Sequence, residues 1–327
     1  MKKTRFTSLL AAVALLLTAA AIILVRRAVA APQGSRYGAN YFPNIELISQ
    51  TGQKVKFYDD LIKGKIVVID FIYTYCKDMC PLETARLAQV QKMLGDRVGK
   101  DVFFYSISIE PTVDTPEVLK AYAEKFHAGS GWLFLTGKKE DIQLLSQKLG
   151  LSGPSTESPD GHTPMVLIGD EATGEWQRNA ANDNPRFIAT LIENLGGYKN
   201  RKQEAQNNYA NAPTLKLTHR GQYLFATRCS ACHTIGHGDL IGPDLSGVTS
   251  SRSRDWLTRF IYKPDEMLAK DPTAMALFKK YKEVQMPNVR LGPEDVQSLI
   301  DYLEIHDKAM DSNSTARAIT APAQEKP

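Results

Sequence analysis

Cys229-Ser230-Ala231-Cys232-His233 fits the pattern C-x-x-C-H. At that spacing two thiols form thioethers to the vinyl groups of a haem, and the histidine ligates its iron from one face. A dithiol redox pair or half of a zinc site are the competing readings. The histidine directly after the second cysteine fits haem, and no further cysteine pair stands nearby to complete a zinc site. The other two of the four cysteines, Cys76 and Cys80, are separated by three residues. They follow the β-branched run Ile66–Phe71 and precede Pro81, which opens a helical pattern. Both sulfurs thus belong to a strand-to-helix corner, where a helix N-terminus favours thiolates. Thiolates suit a soft metal, and the wider loop could also close a disulfide. Spacing alone leaves both open.

Around these corners the hydrophobic pattern alternates between strands and helices. Strands are expected at Ile66–Phe71, Val102–Ile109, Trp132–Leu135 and Met165–Ile168, with Glu175–Arg178 pairing to the last after the Gly174 turn. Helices are expected at Leu82–Leu94, Pro116–Phe126 (Thr115 as N-cap), Lys139–Leu149 and Pro185–Leu195. This order implies an α/β domain with a mixed sheet over residues 31–197. Residues 198–213 are polar and read as a linker, 214–306 as a mostly helical domain, and 307–327 as a disordered tail. The first thirty residues hold a charged head, Lys2, Lys3 and Arg5, then the uncharged stretch Phe6–Val25. As a helix that stretch is about 30 Å long, enough to cross a bilayer. Ala28-Val29-Ala30 before Ala31 also fits a cleavage site. The expectation is an exported protein on the periplasmic face of the inner membrane, N-terminally anchored, or soluble in the periplasm if cleaved after Ala30.

The formal net charge is +4, but Lys2, Lys3, Arg5, Arg26 and Arg27 all lie in this leading segment, so the rest of the chain carries one net negative charge. A near-neutral body gives no basis for nucleic-acid binding.

The C-terminal third resembles class I cytochromes c over roughly ninety residues. The resemblance rests on Gly221-Gln222-Tyr223-Leu224-Phe225 before the cysteine motif, Ile241-Gly242-Pro243-Asp244-Leu245 after it, and Met286-Pro287-Asn288 before a last helix, Pro293–Leu303. It implies one covalent haem c on Cys229 and Cys232, with His233 and Met286 as axial iron ligands. It also implies that the Pro243 carbonyl orients the His233 ring, and that Phe225 and Tyr302 pack where the first and last helices cross. Met267 and Met275 read as core residues, and His219, His237 and His306 as surface ones.

The first domain resembles the Sco/SenC family, thioredoxin-fold proteins that bind copper and help build respiratory oxidases. The resemblance spans about Pro43 to Leu195. It rests on Cys76-x-x-x-Cys80-Pro81, on Ser108-Ile109-Glu110-Pro111 through Asp114-Thr115-Pro116-Glu117, and on Gly161-His162-Thr163-Pro164 before a late strand. It implies that Cys76, Cys80 and His162 hold one copper. The family's usual Asp before this histidine is replaced by Gly161, with Asp160 nearby. Cys₂His suits copper by ligand softness, while zinc would also fit. Thr163-Pro164 is similar to the X-Pro that thioredoxin folds place in cis opposite their cysteines.

Two function classes follow. The first is a copper-binding assembly factor with a haem for one-electron transfer, its partners being a copper-containing oxidase subunit, redox proteins and the membrane. The second is a thiol–disulfide oxidoreductase in which Cys76 and Cys80 are catalytic and the haem is the electron outlet. Dithiols of thioredoxin type lie at roughly −120 to −270 mV, and His/Met ligation raises a haem potential. Electrons therefore run from the first site toward the haem. A copper couple matches the haem one electron for one, which favours the first class.

Overall fold

The computed structural model describes residues 37–77, 79–151, 164–195 and 219–320, the last eleven as backbone alone. The strand β3, Ile66–Ile72, is buried along all of its length, as its unbroken apolar run requires of a central strand. It pairs in parallel with β4, Val102–Ser108, and antiparallel with β6, Met165–Asp170. With β1 (Glu46–Ser49), β2 (Lys54–Lys56), β5 (Trp132–Gly137) and β7 (Glu175–Ala180) they form a seven-stranded mixed sheet in the order β2-β1-β5-β4-β3-β6-β7.

Alternate side chains of β3 enter opposite cores. Ile66, Val68 and Ile72 meet α1 (Cys80–Leu94), α2 (Pro116–Lys125) and α4 (Pro185–Asn194) through Leu82, Leu119 and Ile188. Val67, Ile69 and Phe71 face Phe57 and Leu61 of a single π-turn and Ile142 and Leu145 of α3, Lys139–Leu149. The expected helices are all present, and Thr115 accepts the Val118 N–H as the N-cap of α2. The stretch from about Ala31 to Gln53 reads as a tether and one short strand; β1 lies within it, and β2 and the π-turn Phe57–Ile62 follow beyond it.

The second half is helical. Its elements are α5 (Arg220–Leu224) running into a π-turn at Phe225–Cys229, α6 (Val248–Ser251), α7 (Arg254–Tyr262), α8 (Pro264–Lys270), α9 (Pro272–Lys280) and α10 (Pro293–Thr320). α5 crosses α10 at Gly221, where a Cβ would meet the Ser298 carbonyl at 2.0 Å. Phe225 and Tyr302 meet beside that crossing with their rings tilted at 42° and centroids 6.1 Å apart.

α10 runs well past Leu303 to Thr320, through residues read as tail. No proline or glycine lies between Glu304 and Thr320 to stop it. Asp307, placed at the start of that tail, is buried and accepts bonds from Gly247 N (2.7 Å), Thr249 N (3.1 Å) and Thr249 Oγ1 (2.6 Å). It therefore belongs to the helical domain, tying α10 to α6.

The segments Phe6–Val25 and Ala28–Ala31 and the linker 198–213 lie outside the described residues. Among the described residues no helix is long and apolar enough to cross a membrane.

Candidate functional site

β3 delivers the chain to a loop, Tyr73–Met79, and α1 takes it away. The loop is pinned by Asp114, fully buried. Asp114 accepts bonds from Thr74 N (3.1 Å), Thr74 Oγ1 (2.5 Å) and Ser108 Oγ (2.5 Å). The turn then closes with Cys76 N on Tyr73 O at 3.2 Å, and Tyr73 and Tyr75 meet edge to face at 4.9 Å. Cys76 is half-buried, while Cys80, the first residue of α1, is fully buried.

The two cysteine side chains share a hydrogen bond, so the fold brings them together as the sequence implied. Neither is in a disulfide; nor is Cys229 or Cys232. The expected thiolate character is not found at Cys80. The hydrogen bond to Cys76, burial and the acid Glu83 raise its thiol well above the ordinary range, outweighing the helix N-terminus.

Sequence reasoning missed two acids beneath this corner. Glu83 is fully buried and neither carboxyl oxygen has a hydrogen-bond partner among the described residues; the Oδ2 of buried Asp70 has none among them either. Asp70 Oδ1 accepts a 2.7 Å bond from Ser106 Oγ, which in turn accepts from Trp132 Nε1 at 2.9 Å. Burial pushes Asp70 up to about 7. Burial first, then the charges of Asp70 and Cys76, hold Glu83 well above the carboxylate range. Glu83 is thus held in protonated form near the cysteines, while Asp70 gains its proton only as pH falls through about 7. A run such as Asp70 within Ile66–Phe71 was the available signal, since a lone acid in a buried strand has few ways to stay charged.

His162, the third expected metal ligand, lies with Gly161 and Thr163 outside the described residues, as does the Thr163–Pro164 bond. Among the described residues no three His, Cys, Asp or Glu side chains form a metal-binding group. His127 is exposed after the end of α2, and Met165 packs into the core. Met79 packs against the α1 side of the sheet.

The helical half contains an apolar cleft of about 330 Å³ that gathers Cys229, Cys232, His233 and Met286 onto its walls. His233 Nδ1 lies 2.9 Å from the Pro243 carbonyl oxygen. A carbonyl only accepts, so Nδ1 carries the proton and Nε2 keeps its lone pair. Burial holds the ring below the usual histidine range, against the opposing effect of the Pro243 bond, so it is neutral and able to ligate a metal. Gly242 makes this possible: a Cβ there would meet the imidazole Cε1 at 2.6 Å. Burial pushes the Cys229 and Cys232 thiols up to about 12. That is unlike the low-pKa thiol of a dithiol enzyme.

An apolar cleft with a neutral imidazole, two thiols and a thioether on its walls fits a haem. Leu257, Leu299 and Phe278 supply apolar wall, and so, unexpectedly, do Pro81 and Leu82 of α1.

Met267 is buried as expected and His237 is exposed. His219 caps α5, accepting the Gly221 N–H at 3.1 Å. His306, read as a surface residue, is half-buried beside Tyr302, its Nδ1 without a partner among the described residues.

Residues 33–195 match the SCO1/SenC family model and 218–306 the cytochrome c model. The SCO1 protein homolog of Bacillus subtilis is 30% identical over 143 residues, 42% of this chain and 72% of that protein. A SCO2-like protein of Rickettsia felis is 33% identical over 105 residues, 32% of this chain and 49% of that protein. A solved SCO1/SenC family lipoprotein of Bacillus anthracis is 31% identical, covering 49% of this chain and 98% of that one at a TM-score of 0.41. The chain thus spans between 49% and 72% of the length of these two curated relatives. The chain belongs to the SCO1/SenC family, and a cytochrome c domain follows in the same polypeptide.

Proposed function

We propose that this chain binds one copper at its first domain as cargo for a respiratory oxidase, and carries one covalent haem c in its second. The observation that carries the copper reading is the pairing of Cys76 and Cys80 as hydrogen-bonded thiols on a loop fixed by Asp114. Two sulfurs from one corner are a soft-metal chelate, and His162 completes Cys₂His. Binding releases protons from the thiols. Cys76, the more exposed of the two, is where the ion enters and leaves.

Cys229 and Cys232 would hold the haem through thioethers, with His233 and Met286 as the residues that would ligate its iron. The haem supplies a one-electron couple when bound. The chain's own contribution is to keep water out with an apolar cleft and to fix the imidazole through Pro243. The protein is exported and held at the periplasmic face of the inner membrane by Phe6–Val25, or is released after Ala30. Membrane fractions holding a chain with an intact N-terminus support the anchor, and a soluble chain beginning at Ala31 shows cleavage instead.

The deciding experiment is titration of the reduced, metal-free chain with cuprous and cupric ions. One equivalent binds, with a thiolate-to-copper absorption that Cys76→Ser or Cys80→Ser abolishes. His162→Ala weakens cupric binding more than cuprous, because two thiolates suffice for the cuprous ion. If neither ion binds and the chain turns over protein disulfides, Cys76 and Cys80 are the catalytic pair of a thiol–disulfide oxidoreductase.

A further inference from the structure

α1 starts at the copper corner and passes along the haem cleft. Its first residue is Cys80; the next two, Pro81 and Leu82, stand in the cleft wall with Cys229, Cys232 and His233. One turn on, Arg86 is buried and donates to the carbonyl oxygens of Asp183 (3.4 Å) and of Thr227 in the second half. Gln89 Nε2 donates 2.9 Å to the carbonyl oxygen of Ser230, inside the cysteine motif. Between these bonds the seam is apolar: Ala231 and Ile241 are buried in the same cluster as Leu82, Ala85 and Val90.

The seam has the features of a specific interface rather than a chance touch. A buried guanidinium is destabilising unless its donors are met, and here main-chain oxygens from both halves accept from it. Burial and the nearby Arg228 lower the Arg86 guanidinium, with Asp183 opposing. The polar bonds hold backbone, so they fix the cysteine motif relative to α1.

We infer that α1 couples the two centres: the state of Cys76 and Cys80 is transmitted through Cys80, Pro81 and Leu82 to the haem cleft, with Arg86 and Gln89 as positioning residues that hold the halves together. This rests on the copper and haem sites proposed above. A thiol pair, a disulfide and a copper-bound pair demand different sulfur positions, and the wall begins at the residue after Cys80. By linkage, whatever factor the state of the cysteines imposes on the haem equilibrium, the redox state of the haem imposes on copper binding.

The test uses the full haem-carrying chain, with Cys76 and Cys80 as thiols, oxidised to a disulfide by diamide, or loaded with cupric ion. Haem methyl proton resonances and the haem midpoint potential are recorded in each state. Both move between states in the wild-type chain and stop responding in Arg86→Ala/Gln89→Ala, while the cysteines still react. Should that double variant unfold by circular dichroism, Gln89→Ala alone removes one bond without uncovering a buried charge, and the response shrinks. Wild-type haem signals that stay fixed while thiol counts or copper content change overturn the coupling. So does an undiminished response in the variants. Failure to bind copper sinks the copper reading alone, since the diamide arm still reads the coupling. Leu82→Ala alters the wall itself, and haem resonances unmoved by it overturn the inference whatever the cysteines do.

Discussion

Asp70 sits in the middle of β3 with one oxygen bonded to Ser106 and the other without a partner among the described residues. Its folded-state value of about 7 stands above the ordinary 3.8. Between those limits the folded chain holds a proton that the unfolded chain has lost, so stability falls as pH rises through the window and then levels off. Asp70→Asn removes that loss. Its thermal midpoint should exceed wild type at pH 8, by an amount equivalent to roughly 1–4 kcal/mol, and match it near pH 4. Equal midpoints at pH 8 would show that Asp70 ionises freely in the fold.

Met286 is tested at the same scale. It lies on the cleft wall with His233, and Met286→Ala should keep the haem attached while the sulfur–iron charge-transfer band disappears. A surviving band would name another sixth ligand. These residue roles differ in how far sequence could show them. Cys229, Cys232, His233 and Met286 announce themselves by spacing and neighbours, because covalent attachment and ligation demand fixed residue types. Glu83 and Arg86 do not. Glu83 shares the face of α1 that carries Leu87, Val90 and Leu94 into the core, and Arg86 is covered by the second half through the Thr227 carbonyl, which no local pattern shows.

At the scale of elements, local chemistry wrote most of the boundaries. Pro116 after Thr115 starts α2 where capping requires, and Pro81 sits in the first turn of α1. What local chemistry could not show is how elements are fixed to one another. The Tyr73–Met79 loop takes its shape from Asp114, about forty residues along the chain and beside the next strand. Asp114→Ala leaves the Thr74 and Ser108 hydroxyls without their acceptor, a cost of roughly 1–3 kcal/mol, and frees the loop that carries Cys76. Copper affinity should fall by at least tenfold in a competition titration, while Glu117→Gln, on the exposed end of α2, leaves it unchanged. An unaltered affinity in Asp114→Ala would mean the loop holds its own shape.

The α5–α10 crossing makes the complementary point. Gly221 was legible as part of a motif, but its reason is the Ser298 carbonyl of a helix nearly eighty residues away. Gly221→Ala forces the helices apart and should cost roughly 1–3 kcal/mol by overpacking, read as a lower denaturant midpoint of the haem-carrying chain. Unchanged stability would show that the crossing relaxes without loss.

For the whole molecule, the two halves differ in what holds them. The α/β half has apolar clusters on both faces of its sheet. The helical half has a single cluster around Leu257, Val296 and Ile300, and beside it the 330 Å³ cleft. A cleft of that size with apolar walls is a deficit of contact that the haem fills; left empty, it costs contacts that the surrounding helices cannot recover without collapse. Cys229→Ser with Cys232→Ser should therefore unfold the helical half well before the sheet half. The α/β half carries Trp132 and Trp176, and the helical half Trp256, which lines the cleft. The haem-less variant should show two denaturant transitions, an early one in helical circular dichroism and Trp256 emission, and a later one from the buried Trp132 of the sheet. The Arg86 and Gln89 bonds limit the separation, because the early transition also uncovers the apolar face of α1 around Ala85 and Val90. The later midpoint should then fall below that of the haem-carrying chain even though no residue of the sheet has changed. One transition at the wild-type midpoint would show that the helical half stands without its haem, and that the seam carries no stability from one half to the other.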